Sequence, residues 1–381
     1  MNQPLIKHNY IWLDLIRVLA ALAVFMQHLR TLLFKNYWEG PTSFFKKIFY
    51  FLTGFSHEAV IVFFVLSGFL ITGSIVNARK KAKFSVLNYG LDRLVRLWIV
   101  LIPGLVLTLI VDRMGIHWFG TYPAYLGTIQ YTGNIDVAAN LNGPTFFGNI
   151  FFLQGILVNT FGSNTPLWSL TNEFWYYVLF PIIYFIIYQK KIWISISLFI
   201  LTFTIFLFIG QDILQYFLVW LIGSALFFVK ENLPAPSVRF KQILLICGII
   251  AFAVCFYELR ISGRLDWMKD VLSGLITVVL CYVGLYSRMR SKLISRIVSF
   301  FSGMSYSLYV IHLPLALFIS SWLVGSQKNW GPSYFFLYLF IIALILCVTV
   351  VFWYCFESRY IQARTYIKRR FFKSRTAFLT N

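Results

Sequence analysis

Residues 11–34 read IWLDLIRVLAALAVFMQHLRTLLF. At 1.5 Å per residue such a run is long enough to cross the ~30 Å hydrocarbon core of a bilayer. Comparable apolar runs recur at 59–78, 94–111, 167–188, 192–209, 211–229, 241–259, 268–286, 299–322 and 334–356. The chain has 381 residues, of which 59% are hydrophobic and 12% charged, with a mean hydropathy of +0.76. Soluble domains carry about 25% charged residues, and a soluble core of this size would have no way to bury so much apolar surface. A soluble enzyme, a disordered chain and a disulfide scaffold are therefore excluded. A transmembrane β-barrel would show alternating segments of about ten residues instead of unbroken runs. The expectation is an all-α polytopic membrane protein of ten transmembrane helices with both termini cytoplasmic.

Charge placement sets this topology. With ten spans, the inner segments hold 23 Lys/Arg and the outer segments 9. The run Phe146–Val158 is short and is interrupted by Asn149 and Gln154. If it also crossed, the balance would become 11 inside and 21 outside, against the positive-inside rule. It is expected to fold back on the outer side. The net charge of +20 thus reflects membrane orientation and predicts no nucleic-acid partner. The first run carries Asp14, Arg17 and His28 with no small-residue cleavage site after it, so it reads as a retained span. The five cysteines, Cys247, Cys255, Cys281, Cys347 and Cys355, lie in or at the ends of apolar runs and read as small core residues. No HExxH, P-loop, GxSxG or GxGxxG occurs, and no metal site is expected.

Ionisable groups inside a membrane are costly and usually functional. On the first span, Arg17 and His28 are eleven positions apart, a net rotation of ~20°, and Asp14 lies on the same stripe. Asp14 and Arg17, three apart, can pair. His28 lies ~16 Å further toward the outer face than Arg17. Glu173 sits six residues from the outer end of its span, and His28 sits six from the outer end of its own. Equal depth lets Glu173 orient the His28 imidazole if the spans are neighbours. The other reading is a carboxylate near a helix N-terminus capped by Ser169 or Thr171. Arg93 and Arg96, in LDRLVRLWIVLIP (91–103), face one way at the cytoplasmic mouth and suit phosphates, or a plain positive-inside anchor. His312 lies near mid-membrane, where a buried histidine is either a core group or a reactant. In the outer segment 112–166, Trp118, Tyr122, Tyr125 and Tyr131 suit sugar rings or an interfacial aromatic belt.

Six motifs in order give a resemblance: LDLIRVLAALAVFMQH (13–28), FFVLSGFLI (63–71), RLVRL (93–97), PLWSLTNEFWYYVLFP (166–181), SYSLYVIH (305–312) and FES (356–358). In them the chain resembles the acyltransferase-3 family of integral membrane acyltransferases over nearly its whole length. The resemblance implies a single membrane domain over 1–358 and a basic cytoplasmic tail over 359–381. It implies transfer of an acyl group, acetyl above all, from cytoplasmic acyl-CoA to a hydroxyl on the far side. The acceptor class is a surface polysaccharide or lipid-linked glycan, and the location a bacterial inner membrane. The family's functional arginine and histidine of the first span match Arg17 and His28, its RxxR matches Arg93 and Arg96, and its WSLxxE places a glutamate at Glu173. His312, Ser67 and Tyr306, in the fifth and second motifs, stand as auxiliary candidates, with Asp14 beside Arg17. The family's Arg-Gly in the first span is Arg17-Val18 here. The soluble esterase-like domain that many members carry is expected to be absent, so a separate extracytoplasmic partner would have to supply any such function.

The expected mechanism has Arg93 and Arg96 hold the donor's phosphates, the pantetheine arm pass Asp14 and Arg17, and the thioester reach His28. There His28 acts as general base or forms a transient acyl-imidazole. Acyl-CoA is a substrate, and no permanently bound cofactor is expected. Alternative functions are a glycolipid or solute transporter, or an acyltransferase acting on a lipid, peptide or antibiotic.

Overall fold

A computed structural model describes residues 10–128, 136–262 and 267–378, with the side chains of 252–262 and 371–378 outside the description. The described residues contain no β-strand. Their helices are α1 (Ile11–Leu33), α2 (Phe44–Leu52), α3 (Ser56–Lys80), α4 (Val86–Phe119), α5 (Gly143–Ile150), α6 (Trp168–Tyr188), α7 (Ile192–Asn232), α8 (Val238–Ser262), α9 (Trp267–Leu285), α10 (Lys292–Leu323), α11 (Pro332–Cys355) and α12 (Tyr360–Phe378). Among the described residues eight helical stretches are long and apolar enough to cross a membrane. One of them, α7, is 41 residues long and breaks at Gly210, whose φ of 78° and ψ of 174° are open to glycine. That break falls between the two runs read at 192–209 and 211–229. Large apolar side chains such as Ile187, Trp193, Leu207 and Phe336 point outward, as lipid-facing groups do.

Local signals explain several helix starts. Ser43 caps α2 by accepting from Lys46 N at 3.1 Å, and Ser85 caps α4 by accepting from Asn88 N at 3.3 Å. Asn142 caps α5, with Pro144 in its first turn. Helix α4 extends well past the 94–111 run at both ends. Helix α5 has eight residues, so it rises only ~12 Å and is too short to cross. The turns after it are tied back by Asn149, which donates to Asn159 O at 2.9 Å, and by Gln154, which donates to Leu167 O at 2.9 Å. Of the cysteines, Cys281 is buried while Cys247, Cys347 and Cys355 lie on exposed faces, which corrects the core reading for those three. The side chain of Cys255 lies outside the described residues.

The chain divides into two compact units. The first comprises Met1–Leu22, Phe55–Asn77 and Asn172–Gly303. Its centre is a close approach of α3 to the second half of α7. A Cβ on Gly68 would lie 2.1 Å from Trp220 O, and one on Gly223 would lie 2.0 Å from Val65 O. Only hydrogen fits at either place, so the glycine of FFVLSGFLI has a packing cause. Trp220, Tyr176 and Phe217 fill the buried space around that contact. The second unit comprises Ala23–Gly54, Ala78–Thr171 and Met304–Asn381. Here α4, α10 and the segment 136–167 interlock. Asp112, fully buried on α4, accepts from Ser163 N at 2.7 Å and from Ser163 Oγ at 2.8 Å. Asn164 donates to Val310 O on α10 at 2.8 Å.

Candidate active site

In the second unit, α1 brings His28 against His312 of α10. His28 Nδ1 lies 2.8 Å from His312 Nε2, with the rings stacked 5.1 Å apart and 10° from parallel. Both residues are buried. The other His312 nitrogen, Nδ1, faces two backbone carbonyls, Tyr309 O at 2.8 Å and Leu308 O at 3.1 Å. A carbonyl only accepts, so Nδ1 of His312 carries the proton. In the neutral pair, Nε2 of His312 is then an acceptor and His28 donates to it from Nδ1. The lone pair of His28 is thereby assigned to Nε2. A backbone feature of α10 sets the tautomer of a side chain on α1. Sequence reasoning marked both histidines and missed their pairing; the available signal was a second histidine within an apolar span.

The same stretch of α10 anchors the fourth motif. Ser169 Oγ and the Tyr309 hydroxyl are hydrogen-bonded, and Tyr309 donates to Pro166 O at 2.7 Å. Ser169 is therefore occupied with Tyr309 and Pro166 and does not cap α6. Helix α6 starts at Trp168, which places Glu173 in its second turn.

Six residues before His312, about 9 Å along the α10 axis, lies a second polar cluster. Arg96 donates to Glu357 Oε1 at 2.7 Å. Its guanidinium lies 5.7 Å from the centre of the Tyr306 ring and 5.6 Å from that of Tyr360. Glu357 is buried, and its Oε2 accepts from Ser307 N at 3.0 Å and Ser307 Oγ at 2.6 Å. Tyr306 donates to Leu97 O at 3.0 Å. The third, fifth and sixth motifs thus meet in one network. Arg93 lies with its guanidinium 5.4 Å from the Tyr89 ring.

In the first unit, Arg17 donates from one nitrogen to Asp14 Oδ1 at 3.2 Å and to Ser302 Oγ at 3.3 Å, while Ser302 donates to the same Asp14 oxygen at 2.9 Å. Glu173 accepts a hydrogen bond from Tyr177. Behind Tyr177 the chain continues: Ser67 donates to the Tyr177 hydroxyl at 3.4 Å and accepts from Trp220 Nε1 at 3.2 Å. Ser67 therefore belongs to the support of Glu173. Among the described residues no group of three His, Cys, Asp or Glu side chains is arranged to hold a metal ion.

The aromatic residues singled out between 112 and 166 differ in exposure. Trp118 is exposed, whereas Tyr122 stacks on Phe119 at 5.6 Å. Tyr125 is buried, and that burial pushes its phenol well above the ordinary tyrosine range. Tyr131 lies outside the described residues.

An acyltransferase domain model, that of the acyltransferase-3 family, matches residues 10–354. The chain belongs to this family, and it is a multi-pass membrane acyltransferase. An uncharacterized protein of Haemophilus influenzae (strain ATCC 51907 / DSM 11121 / KW20 / Rd) is 26% identical over 225 residues, covering 56% of this chain and 83% of that protein. No solved structure matches.

Proposed function

We propose that the protein is an O-acetyltransferase of a bacterial inner membrane. In this reading it moves acetyl from cytoplasmic acetyl-CoA to a hydroxyl of a surface polysaccharide or lipid-linked glycan on the outer side. The observation that carries the reading is the His28–His312 pair, because it leaves the proton-accepting lone pair of His28 on Nε2. His28 Nε2 takes the proton of the acceptor hydroxyl as its oxygen attacks the thioester carbonyl. The C–O bond forms, the C–S bond breaks, and the coenzyme A thiolate leaves, taking up a proton. The covalent variant has Nε2 attack the thioester first and pass the acetyl group on to the acceptor. His312 holds the imidazole and its tautomer in either case, as the orienting member of a catalytic triad does. Arg93 and Arg96 hold the donor's phosphates as charge-assisted hydrogen-bond donors. Glu173, bonded to Tyr177, and the Asp14–Arg17 pair, bonded to Ser302, are supporting groups in this reading.

The test is transfer of labelled acetyl from acetyl-CoA to extracted host glycan in membranes. Wild type labels the glycan, and His28→Ala at matched expression does not. Equal labelling by both would remove His28 from the chemistry. No labelling by either, together with solute or glycolipid flux independent of acyl-CoA, would replace this reading with a transporter.

A further inference from the structure

Four side chains at the end of the chain face one turn of α4. Glu357, Tyr360, Arg364 and Lys368 follow one another at intervals of three, four and four residues, the spacing that stacks side chains on one helical stripe. Glu357 holds Arg96. The Tyr360 hydroxyl donates to Asp92 O at 3.4 Å. Arg364 forks onto Asp92, Nε to Oδ1 and one terminal nitrogen to Oδ2, each at 2.6 Å. Lys368 Nζ lies 2.7 Å from Asp92 Oδ1. Two cations therefore occupy a single carboxylate.

The position of that carboxylate matters. Asp92 directly precedes Arg93 and stands four residues before Arg96, the spacing at which an aspartate and an arginine on one helix pair with each other. Left alone, Asp92 would stand as a second carboxylate beside Arg96, which Glu357 already holds, and its charge would repel a phosphate at Arg93 and Arg96. Arg364 and Lys368 turn it away from α4's own arginines and offset its charge.

We propose that Arg364 and Lys368 are positioning residues of the donor site, which sequester Asp92 so that Arg93 and Arg96 can receive the phosphates of an acyl-CoA. The proposal rests on the reading of Arg93 and Arg96 as the donor's phosphate holders. It gives α12 a part in the reaction beyond that of a basic tail.

Binding of radiolabelled acetyl-CoA to the full-length protein in detergent tests it. Arg364→Ala with Lys368→Ala exposes Asp92 and raises Kd about ten-fold, the scale of one uncompensated charge near a surface phosphate. Adding Asp92→Asn to that variant removes the charge that needed sequestering, and Kd returns to within about two-fold of wild type. A tie that merely held α12 in place would give no such rescue, so a triple variant as weak as the double overturns the proposal. So does an unchanged Kd in the double variant. Arg93→Ala measured alongside separates the two levels. If it weakens binding while the double variant does not, the sequestration idea alone fails. If Arg93→Ala binds as wild type does, Arg93 holds no phosphate, and the proposal fails together with the reading it rests on.

Discussion

Nδ1 of His28 meets Nε2 of His312 at 2.8 Å, and the far nitrogen of His312 points at the Tyr309 carbonyl 2.8 Å away. The proton on His312 is thus directed by backbone, which no rotamer change of a third residue can alter. Substituting His312 by Ala removes the acceptor for His28 Nδ1–H and frees the ring to adopt the other tautomer. Acyl transfer is expected to fall by about 10²-fold or more, within the range seen when an orienting partner of a catalytic histidine is lost. His312→Gln keeps an acceptor oxygen and a donor amide on one side chain and is expected to retain more activity than His312→Ala. Initial rates in membranes at matched expression check the order His312→Gln above His312→Ala above His28→Ala. A His312→Ala protein as fast as wild type would remove the orienting role.

Glu357 is the hinge of the second network, since it faces Arg96 with one oxygen and Ser307 with the other. Its side chain is 2% exposed and that of Arg96 37%. Removing one partner of a buried pair leaves an uncompensated charge, at a cost of about 3–5 kcal/mol when both are fully buried. With Arg96 partly exposed, Glu357→Ala is expected to cost about 2–3 kcal/mol. The combination Arg96→Met with Glu357→Leu leaves no charge stranded and is expected to recover most of that loss. Thermal unfolding in detergent reads the stability. The same double variant remains inactive if Arg96 also serves the donor, so stability and activity part company in one protein.

Much of the fold was legible from the residues because a bilayer makes hydropathy decisive. Hydropathy windows separate the runs 192–209 and 211–229, and Gly210 supplies the backbone geometry of the break between them. The Asp14–Arg17 pair was legible because it is local, three residues on one helix. Charge placement reads Phe146–Val158 as folding back, and α5 within that stretch has only eight residues, too few to cross as a helix. What stayed hidden are contacts far apart in sequence. His28 and His312 are separated by 284 positions and Arg96 and Glu357 by 261, and no periodicity links them. The resemblance drew those residues into motifs without saying which motif touches which. Depth and the WSLxxE motif mark Glu173, but neither names Tyr177, which donates to it, or Ser67 behind that hydroxyl.

Gly68 and Gly223 make a prediction about stability that is independent of chemistry. Either Cβ would sit about 2 Å from a carbonyl oxygen of the facing helix, and neither backbone has a flexible side chain to yield. Gly68→Ala or Gly223→Ala therefore forces α3 and α7 apart, at a cost at or above the ~1–3 kcal/mol of ordinary overpacking. Gly90 on α4 is the contrast, because nothing lies within 4 Å of where a methyl group on it would stand. Gly90→Ala adds helix propensity and is expected to stabilise by up to about 1 kcal/mol. Folded yield and thermal midpoint in detergent check the pair of outcomes, which should have opposite signs.

Arg17 poses the sharpest question about a residue on the first span. A single terminal nitrogen makes both of its contacts, to Asp14 and to Ser302. The Nζ of a lysine can supply one donor to the same two oxygens, so Arg17→Lys is expected to preserve folding to within about 0.5–1 kcal/mol, the scale of a part-exposed ion pair. The remaining donors of the guanidinium plane are what a lysine lacks. If Arg17 only ties α1 to Ser302, Arg17→Lys transfers acyl groups at the wild-type rate. If its fork also steadies a passing donor, Arg17→Lys loses about ten-fold in rate at low acetyl-CoA with its thermal midpoint unchanged. The supporting role of the Asp14–Arg17 pair requires the first result. Measuring the rate of Arg17→Lys across a range of acetyl-CoA concentrations, with Asp14→Asn as the variant that strands the cation, decides between them.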